Sequence, residues 1–217
     1  MENAGTHGIY RIDNMRKSTR LFLSVLCIAL MLLSAGCSTD RDDNGKSAAL
    51  PDELAESRDS AMTAAKDAAL ELEGSFADRI MTNLMPYYQD DTVMTTGEYT
   101  ALLSILTQQR DSLGASRMYV LVPDESGSFR LTADTDSQPW LEDMGTSSVY
   151  DEAYSDGLVA AERSGWKKGS SYFWTAYAPL YNSEGDIYAI LAADVSADAL
   201  ADHPEWDRTS DSWNKFE

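Results

Sequence analysis

The stretch SSYFWTAYAPLYNSEGDIYAILAADVSA, residues 170–197, decides how this chain folds. Residues 172–181 are rich in aromatic and β-compatible side chains. Asn182-Ser183-Glu184-Gly185 then supplies turn chemistry, with Gly185 free to take positive φ. Residues 187–195 form a second run. Period two sorts Ile187, Ala189, Leu191, Ala193 and Val195 to one face and Tyr188, Ile190, Ala192 and Asp194 to the other. Both faces are largely apolar, so this strand is expected inside a sheet with material packed on each side. Pro179 has no N–H for a ladder, which predicts a bulge or an unpaired edge. Asp194 breaks the apolar pattern. A carboxylate there must be solvated, capped or paired. It reads as an N-cap or turn former before a helical turn over 197–201, or as a pocket carboxylate that takes a ligand amine or hydroxyl.

The N-terminal region has a different chemistry. Arg16, Lys17 and Arg20 form a basic patch, and the apolar run 21–33 follows. That run is short for a spanning helix. It ends in Leu33-Ser34-Ala35-Gly36-Cys37, which resembles a lipobox, the site where bacteria attach diacylglycerol to a cysteine and cleave before it. Residues 1–36 are therefore expected to be a lipoprotein signal peptide, with Cys37 lipidated. Met15 would begin a compact signal by itself, and translation is expected to start there. Cys27 falls in the removed segment, so Cys37 would remain as the mature chain's single cysteine, with no intramolecular disulfide. Residues 37–50 are polar and mixed in charge, a flexible tether.

A long helix is expected over 51–85. Pro51 suits a first turn, Asp52 and Glu53 favour its positive end, and Pro86 stops it. Leu54, Ala61, Ala65, Ala68, Leu72, Phe76, Ile80 and Leu84 make its stripe, with Gly74 as a bend. The alanine-rich half is thin enough to pack closely on another helix. Thr95 and Glu98 are spaced as a capping box for a second helix ending near Ser112, closed by Gly114. A hairpin follows, with strands over 117–122 and 128–133. Residues 133–149 read as a long polar loop with Trp140 at its middle, and 151–163 as a short helix with Tyr154, Leu158 and Ala161 inward. Beyond 200 the pattern fades into a polar tail.

The formal charge of −19 argues against nucleic acid, which needs a basic face. No cluster of metal-ligand residues occurs: the histidines are His7, in the removed segment, and His203, in the tail. No glycine-rich phosphate loop follows a strand, and no nucleophile elbow appears. Neither catalysis nor a cofactor is expected.

Tyr177-Ala178-Pro179-Leu180-Tyr181, Gly185 and Ile190-Leu191-Ala192-Ala193-Asp194-Val195 resemble the closing hairpin of the Cache family. Those are extracytoplasmic, PAS-like sensor domains of bacterial chemoreceptors, histidine kinases and cyclic-di-nucleotide enzymes. Residues 118–130 resemble the family's opening hairpin and 140–150 its binding loop, so the similarity spans about 51–200. It implies an α+β fold, a single Cache domain with a long N-terminal helix packed on a PAS-like antiparallel sheet, and a tail over 201–217. It also implies a possible homodimer through that helix. The expected pocket lies between sheet and loop, with Trp140, Tyr150, Tyr172, Trp174, Tyr177 and Asp194 as ligand-binding candidates and Arg130 as an anion contact. In amino-acid-binding members an Arg-x-Trp-Tyr run grips the ligand carboxylate through its Arg, and an Asp near the end of the last strand takes the amine. Here the run is Gln138-Pro139-Trp140-Leu141, and Asp194 stands where that Asp would be. The guanidinium grip is missing, which argues against an α-amino-acid ligand, while Trp140 with Asp194 suits a cation or amine. In receptors of this family a transmembrane helix follows the sensor domain. None is read after residue 200 here, so a membrane-bound signalling protein is the expected partner. The alternative is a non-sensing envelope scaffold with a degenerate pocket.

Replacing Cys37 by Ala is expected to abolish incorporation of labelled fatty acid in a bacterial host and to move the protein out of the membrane fraction. Unchanged fractionation would remove the lipid anchor from this reading.

Overall fold

The computed structural model describes residues 49–74, 76–79, 94–136 and 142–210. Cys37, Trp140, residues 1–48 and the end of the tail therefore lie outside the described residues. The chain runs α1 (Asp52–Glu71), α2 (Gly97–Leu113), β1 (Arg117–Pro123), β2 (Phe129–Asp134), β3 (Asp143–Gly145), α3 (Ser148–Tyr154), β4 (Ala160–Ala161), β5 (Trp166–Lys168), β6 (Ser171–Tyr181) and β7 (Ile187–Ser196). Two short 3-10 turns follow, Asp198–Ala201 and Pro204–Trp206. The fold is α+β, with the long first helix laid on an antiparallel sheet, as the resemblance implies.

The sheet order is β3-β2-β1-β7-β6-β4, with β5 also paired to β6. Every strand pair is antiparallel. β7 lies between β1 and β6, and its central residues 188–194 are buried. The two-sided apolar strand read from sequence is thus an interior strand. Pro179 pairs with Ile190 and sits beyond Tyr177, the last β6 residue that β4 covers, so its missing N–H falls where the ladder on that side has ended.

Period two fails at one place. Leu180 pairs with Ala189, but Tyr181 pairs with Ile187, which leaves Tyr188 as an extra residue in a bulge. The bulge turns Tyr188 onto the α1 side, where it packs with Leu191 and Ala193. Ile187 turns the other way, towards Gly157.

α1 starts at Pro51, whose carbonyl accepts from the N–H groups of Leu54 and Ala55, and Asp52 and Glu53 sit in its first turn. It ends at Glu71 rather than running to Met85. Gly74 has φ 67° and donates its N–H to the Tyr181 carbonyl, so the backbone leaves the helix to bridge the β6–β7 turn. The expected residues 80–85 lie outside the described set. Ala61, Ala64, Ala65, Ala68 and Ala69 are buried, and they meet Ala176, Ala178, Ala189 and Ala193 of β6 and β7. Small side chains on both surfaces let the helix backbone come close to the sheet. The alanine stripe that suggested a dimer stalk is covered by the chain's own sheet.

α2 is capped by Thr96, not Thr95: the Thr96 hydroxyl accepts from the Tyr99 N–H at 3.2 Å. The expected box does not form: Thr96 holds the extended Ncap backbone, which puts Tyr99 rather than Glu98 at the third helical position. The helix expected over 151–163 is α3, which begins and ends earlier, with Ser147 as its cap. Chain 160–161 is strand β4, pairing with Ala176 and Tyr177, and Leu158 is exposed rather than inward. A two-residue strand carries no periodicity that could have announced it.

After β7 the chain folds back. The Gly165 N–H donates to the Trp206 carbonyl and the Arg208 N–H donates to the Gly165 carbonyl, both at 3.0 Å. A Cβ on Gly165 would run into Leu200 Cδ1 and come within 2.8 Å of the Phe173 carbonyl oxygen, so only glycine admits this approach. His203 Nε2 lies 3.0 Å from Glu53 Oε1, which ties the returning segment to the first turn of α1.

Leucine at Ala68 is expected to cost about 1–3 kcal/mol by forcing α1 off the sheet. The same substitution at exposed Lys66 should stay within roughly 0.5 kcal/mol. Urea unfolding of both variants measures the difference, and equal effects would contradict the close alanine contact.

Candidate functional site

The sheet has two buried faces with different chemistry. On the α1 face, Trp174, Ala176, Ala178 and Leu180 of β6 point at the helix. On the other face lie Thr175 and Tyr177 of β6, Asp194 and Ala192 of β7, and Tyr119 and Leu121 of β1, covered by Val149, Tyr150 and Ala153 of α3. This second face holds the polar groups.

Asp194 is its centre. It is 1% exposed and stands opposite Thr175 in the β6–β7 ladder and opposite Arg117 in the β1–β7 ladder. Its Oδ1 accepts from the Thr175 hydroxyl at 2.7 Å, and Thr175 Oγ1 in turn accepts from Trp166 Nε1 at 2.9 Å. Its Oδ2 is buried with no hydrogen-bond partner among the described residues. The obvious cation is committed elsewhere. Arg117 makes a two-pronged pair with Asp134, Nε to Oδ1 at 2.9 Å and Nη2 to Oδ2 at 2.7 Å, and lies over the Tyr119 ring at 4.4 Å. Burial pushes the Asp194 carboxyl up to about 6, against the Thr175 hydrogen bond and the nearby Arg117 and Arg208 charges, which pull it down. Asp194 does not cap the following turn: Ala197 is the residue there, without a side-chain cap.

Three phenols line the same face. Tyr150 meets Tyr177 edge-on at 4.9 Å, and Phe129 meets Tyr150 at 5.2 Å. Tyr177 is 2% exposed and donates its hydroxyl proton to Glu162 Oε1 at 3.1 Å. Burial raises the Tyr119 and Tyr177 phenols well above the ordinary tyrosine value, and Asp194 adds to both shifts. Glu162 Oε2 is 3.3 Å from Arg208 Nη1. The result is a packed, buried cluster of two carboxylates and three phenols with a guanidinium at one edge, called the chamber below. It would take a positive charge or a flat group only by opening this packing.

The structure separates the sequence-derived candidates. Tyr150, Tyr177 and Asp194 come together on one face. Trp174 lies on the opposite face, fully buried with Leu54 and Leu200, its Nε1 donating to the Glu162 carbonyl at 2.8 Å. Tyr172 belongs to that same cluster, beneath Lys167. Both alternate with Thr175 and Tyr177 along β6, so they cannot share the Asp194 face. Arg130 sits at the β1–β2 turn, held by Asp124 at 2.8 Å and Asp143 at 3.1 Å, and offers the chamber no anion contact. Trp140 lies outside the described residues. Thr175, Tyr119, Glu162, Trp166 and Arg208 were not anticipated. Thr175 was out of reach of a plain count from the turn, which pairs it with Ala193; the bulge at Tyr188 shifts the register by one and sets it opposite Asp194. Arg208 has no local signal, because it reaches the chamber only through the chain's return over Gly165.

Among the described residues no group of three or more His, Cys, Asp or Glu could hold a metal ion. No helix among them is long and apolar enough to cross a membrane.

No protein-family model matches the chain, and no curated protein matches it. Solved structures do. The Escherichia coli DcuS sensor domain aligns at 12% identity and TM-score 0.43, over 69% of this chain and 98% of that one. The sensory domain of the Campylobacter jejuni chemoreceptor Tlp3 aligns at 17% identity and TM-score 0.35, over 69% of this chain and 64% of that one. The ligand-binding domain of the Pseudomonas aeruginosa amino-acid chemoreceptor PctC, in complex with GABA, aligns at 16% identity and TM-score 0.41, over 66% of this chain and 59% of that one. The chain spans less than two thirds of the length of the Tlp3 and PctC domains. These neighbours are sensory or ligand-binding domains, two of them from chemoreceptors.

Replacing Asp194 by Asn tests the buried carboxylate. The unfolded carboxyl ionises near its ordinary 3.8 and the folded one at about 6. Raising pH through that window therefore ionises the unfolded chain first and removes stability from the native protein. The variant is expected to match the native protein near pH 3.5 and to exceed it by roughly 3 kcal/mol above pH 7 in urea unfolding. A difference independent of pH would mean that Asp194 is not desolvated as described.

Proposed function

We propose that this chain is a lipid-anchored, extracytoplasmic, small-molecule-binding sensor domain that signals through a membrane partner and catalyses nothing. The observation that carries the reading is the Asp194 Oδ2 atom, buried and unpartnered among the described residues on a face lined by Tyr119, Tyr150 and Tyr177. A buried charge without a partner is costly. An ammonium or amidinium group delivered by a ligand would remove that cost, and the phenol rings would hold its apolar part. The ligand class is accordingly a small organic cation or amine. Signalling would follow by population shift, ligand favouring an arrangement in which α3 closes over the Asp194 face.

A second reading is supported by the filled chamber: Tyr177 and Tyr150 are 2% and 7% exposed, so the face could be a core that has lost its ligand and now scaffolds an envelope complex. Pull-down from membranes separates the two, because a scaffold holds its partner whether or not amines are present.

Calorimetry and thermal-shift measurement on the chain from residue 50 onward, against a panel of primary amines, diamines and guanidines, is expected to yield at least one ligand. Native protein at [L] of 100 times Kd should gain about 2.7 kcal/mol. The Asp194→Asn variant should bind that ligand at least tenfold more weakly. No binder in the panel, or equal binding by the variant, would sink the sensing role of Asp194.

A further inference from the structure

The chamber lies on one face of the sheet and α1 covers the other. α1 has a far side of its own. A helical repeat of 3.6 residues sets Asp52, Glu56, Asp59, Thr63, Asp67 and Leu70 on the side opposite the buried Ala61, Ala65 and Ala68, and all six are exposed. Four of the six are carboxylates. Arg58 Nη2 lies 3.3 Å from Asp59 Oδ1, an exposed pair of little strength. Asp52, Glu56 and Asp67 enter no ion pair among the described residues.

Helix stability does not account for this pattern. Asp52 suits the positive end of α1, but Asp67 and Glu71 stand near its negative end, where no basic residue occupies the last turn. Asp52 with Glu56, and Asp67 with Glu71, set like charges four residues apart, an arrangement that weakens an isolated helix. A face kept only for solubility would intersperse the two signs.

The same side has an apolar element. Ala55, Ala64 and Leu113, the last residue of α2, line a groove of about 610 Å³ whose carboxylates are Asp52, Glu56 and Asp59. Leu70 stands further along the helix, 58% exposed. A groove with an apolar floor and an anionic rim matches one kind of occupant, a helix with an apolar stripe flanked by Lys or Arg. A second copy of this chain matches it poorly. It would bring the same carboxylates against these, and like charges across an interface oppose association.

We propose that the far side of α1, with its groove beside Leu113, docks a cationic amphipathic helix of a partner protein, apolar residues seated on Ala55, Leu113 and Leu70 and basic residues on Asp52, Glu56, Asp59 and Asp67. The proposal takes the existence of a partner from the proposed function and nothing from the Asp194 face. A helix seated there rests on the element that packs closely on β6 and β7, so it would follow any displacement of α1.

The probe is a synthetic peptide of about the length of α1, with Leu and Ala on one helical face and Lys on its flanks. A control peptide has the same composition in scrambled order, so that the charge is equal and the stripe is gone. With the chain from residue 38 onward, the patterned peptide is expected to bind at least tenfold more tightly than the scrambled one by calorimetry. Glu56→Lys with Asp59→Lys should weaken its binding at least tenfold. Glu125→Lys with Glu184→Lys changes the net charge equally at two exposed turns and should leave the affinity within twofold. Thr63→Trp fills the groove at constant charge and should weaken binding at least tenfold. All five positions are exposed, and unchanged melting temperatures show that the variants are folded. Equal binding of the two peptides, or equal losses in the two lysine pairs, would reduce the interaction to net charge and overturn the groove. Self-association of the native chain in sedimentation, abolished by Thr63→Trp, would assign the groove to a second copy and overturn the cationic partner. Either result leaves the ligand reading of Asp194 standing, since the amine panel tests that separately.

Discussion

A strand covered on both faces has no water to offer a carboxylate, and β7 is such a strand. It lies between β1 and β6, with α1 against one face and α3 against the other. Everything polar on it must be served by its neighbours. The cross-strand positions do this in part: Thr175 gives Asp194 one hydrogen bond and Trp166 gives Thr175 another. Arg117, directly across the other ladder, contributes charge but spends its N–H groups on Asp134. A chain that needed only a stable sheet could place an apolar residue at 194, because replacing a buried ionic group by a packed apolar one is often neutral or stabilising. The arrangement found here is instead a half-satisfied carboxylate on an interior strand. A buried carboxyl of this kind, raised by desolvation, is a candidate for a functional site.

How much of this was legible depended on the range of the interaction. Interior placement of β7 followed from its two apolar faces. The turn at Gly185, which takes φ 89°, followed from the turn chemistry of residues 182–185. The faces themselves were legible too, and the grouping of Trp174 and Tyr172 with Tyr177 overlooked the alternation that puts them on opposite sides. Two features had no local signature. The bulge at Tyr188 lies beside the hairpin's end, where Asn182 bridges Gly74, a contact between residues about a hundred positions apart in sequence. The break after α1 did have one, since Gly74 read as a bend and takes φ 67° there. Arg208 comes to the chamber only because the chain returns over Gly165, where the absence of a side chain is visible in sequence but its meaning is not. The capping residue of α2 shows a finer limit: adjacent threonines are chemically equal candidates, and the backbone chooses between them.

The two faces are linked by the strands that separate them. Thr175 and Asp194 point into the chamber, while the next residues along each strand, Ala176 and Ala193, point at the alanines of α1. An interface of small side chains at close approach has little slack, because packed interiors transmit displacement rather than absorb it. A group entering between Asp194 and the phenol rings would change the spacing of β6 and β7 at those positions, and α1 would have to follow. A stiff sheet with a helix seated on it without slack would tie any change of spacing at Asp194 to the position of α1.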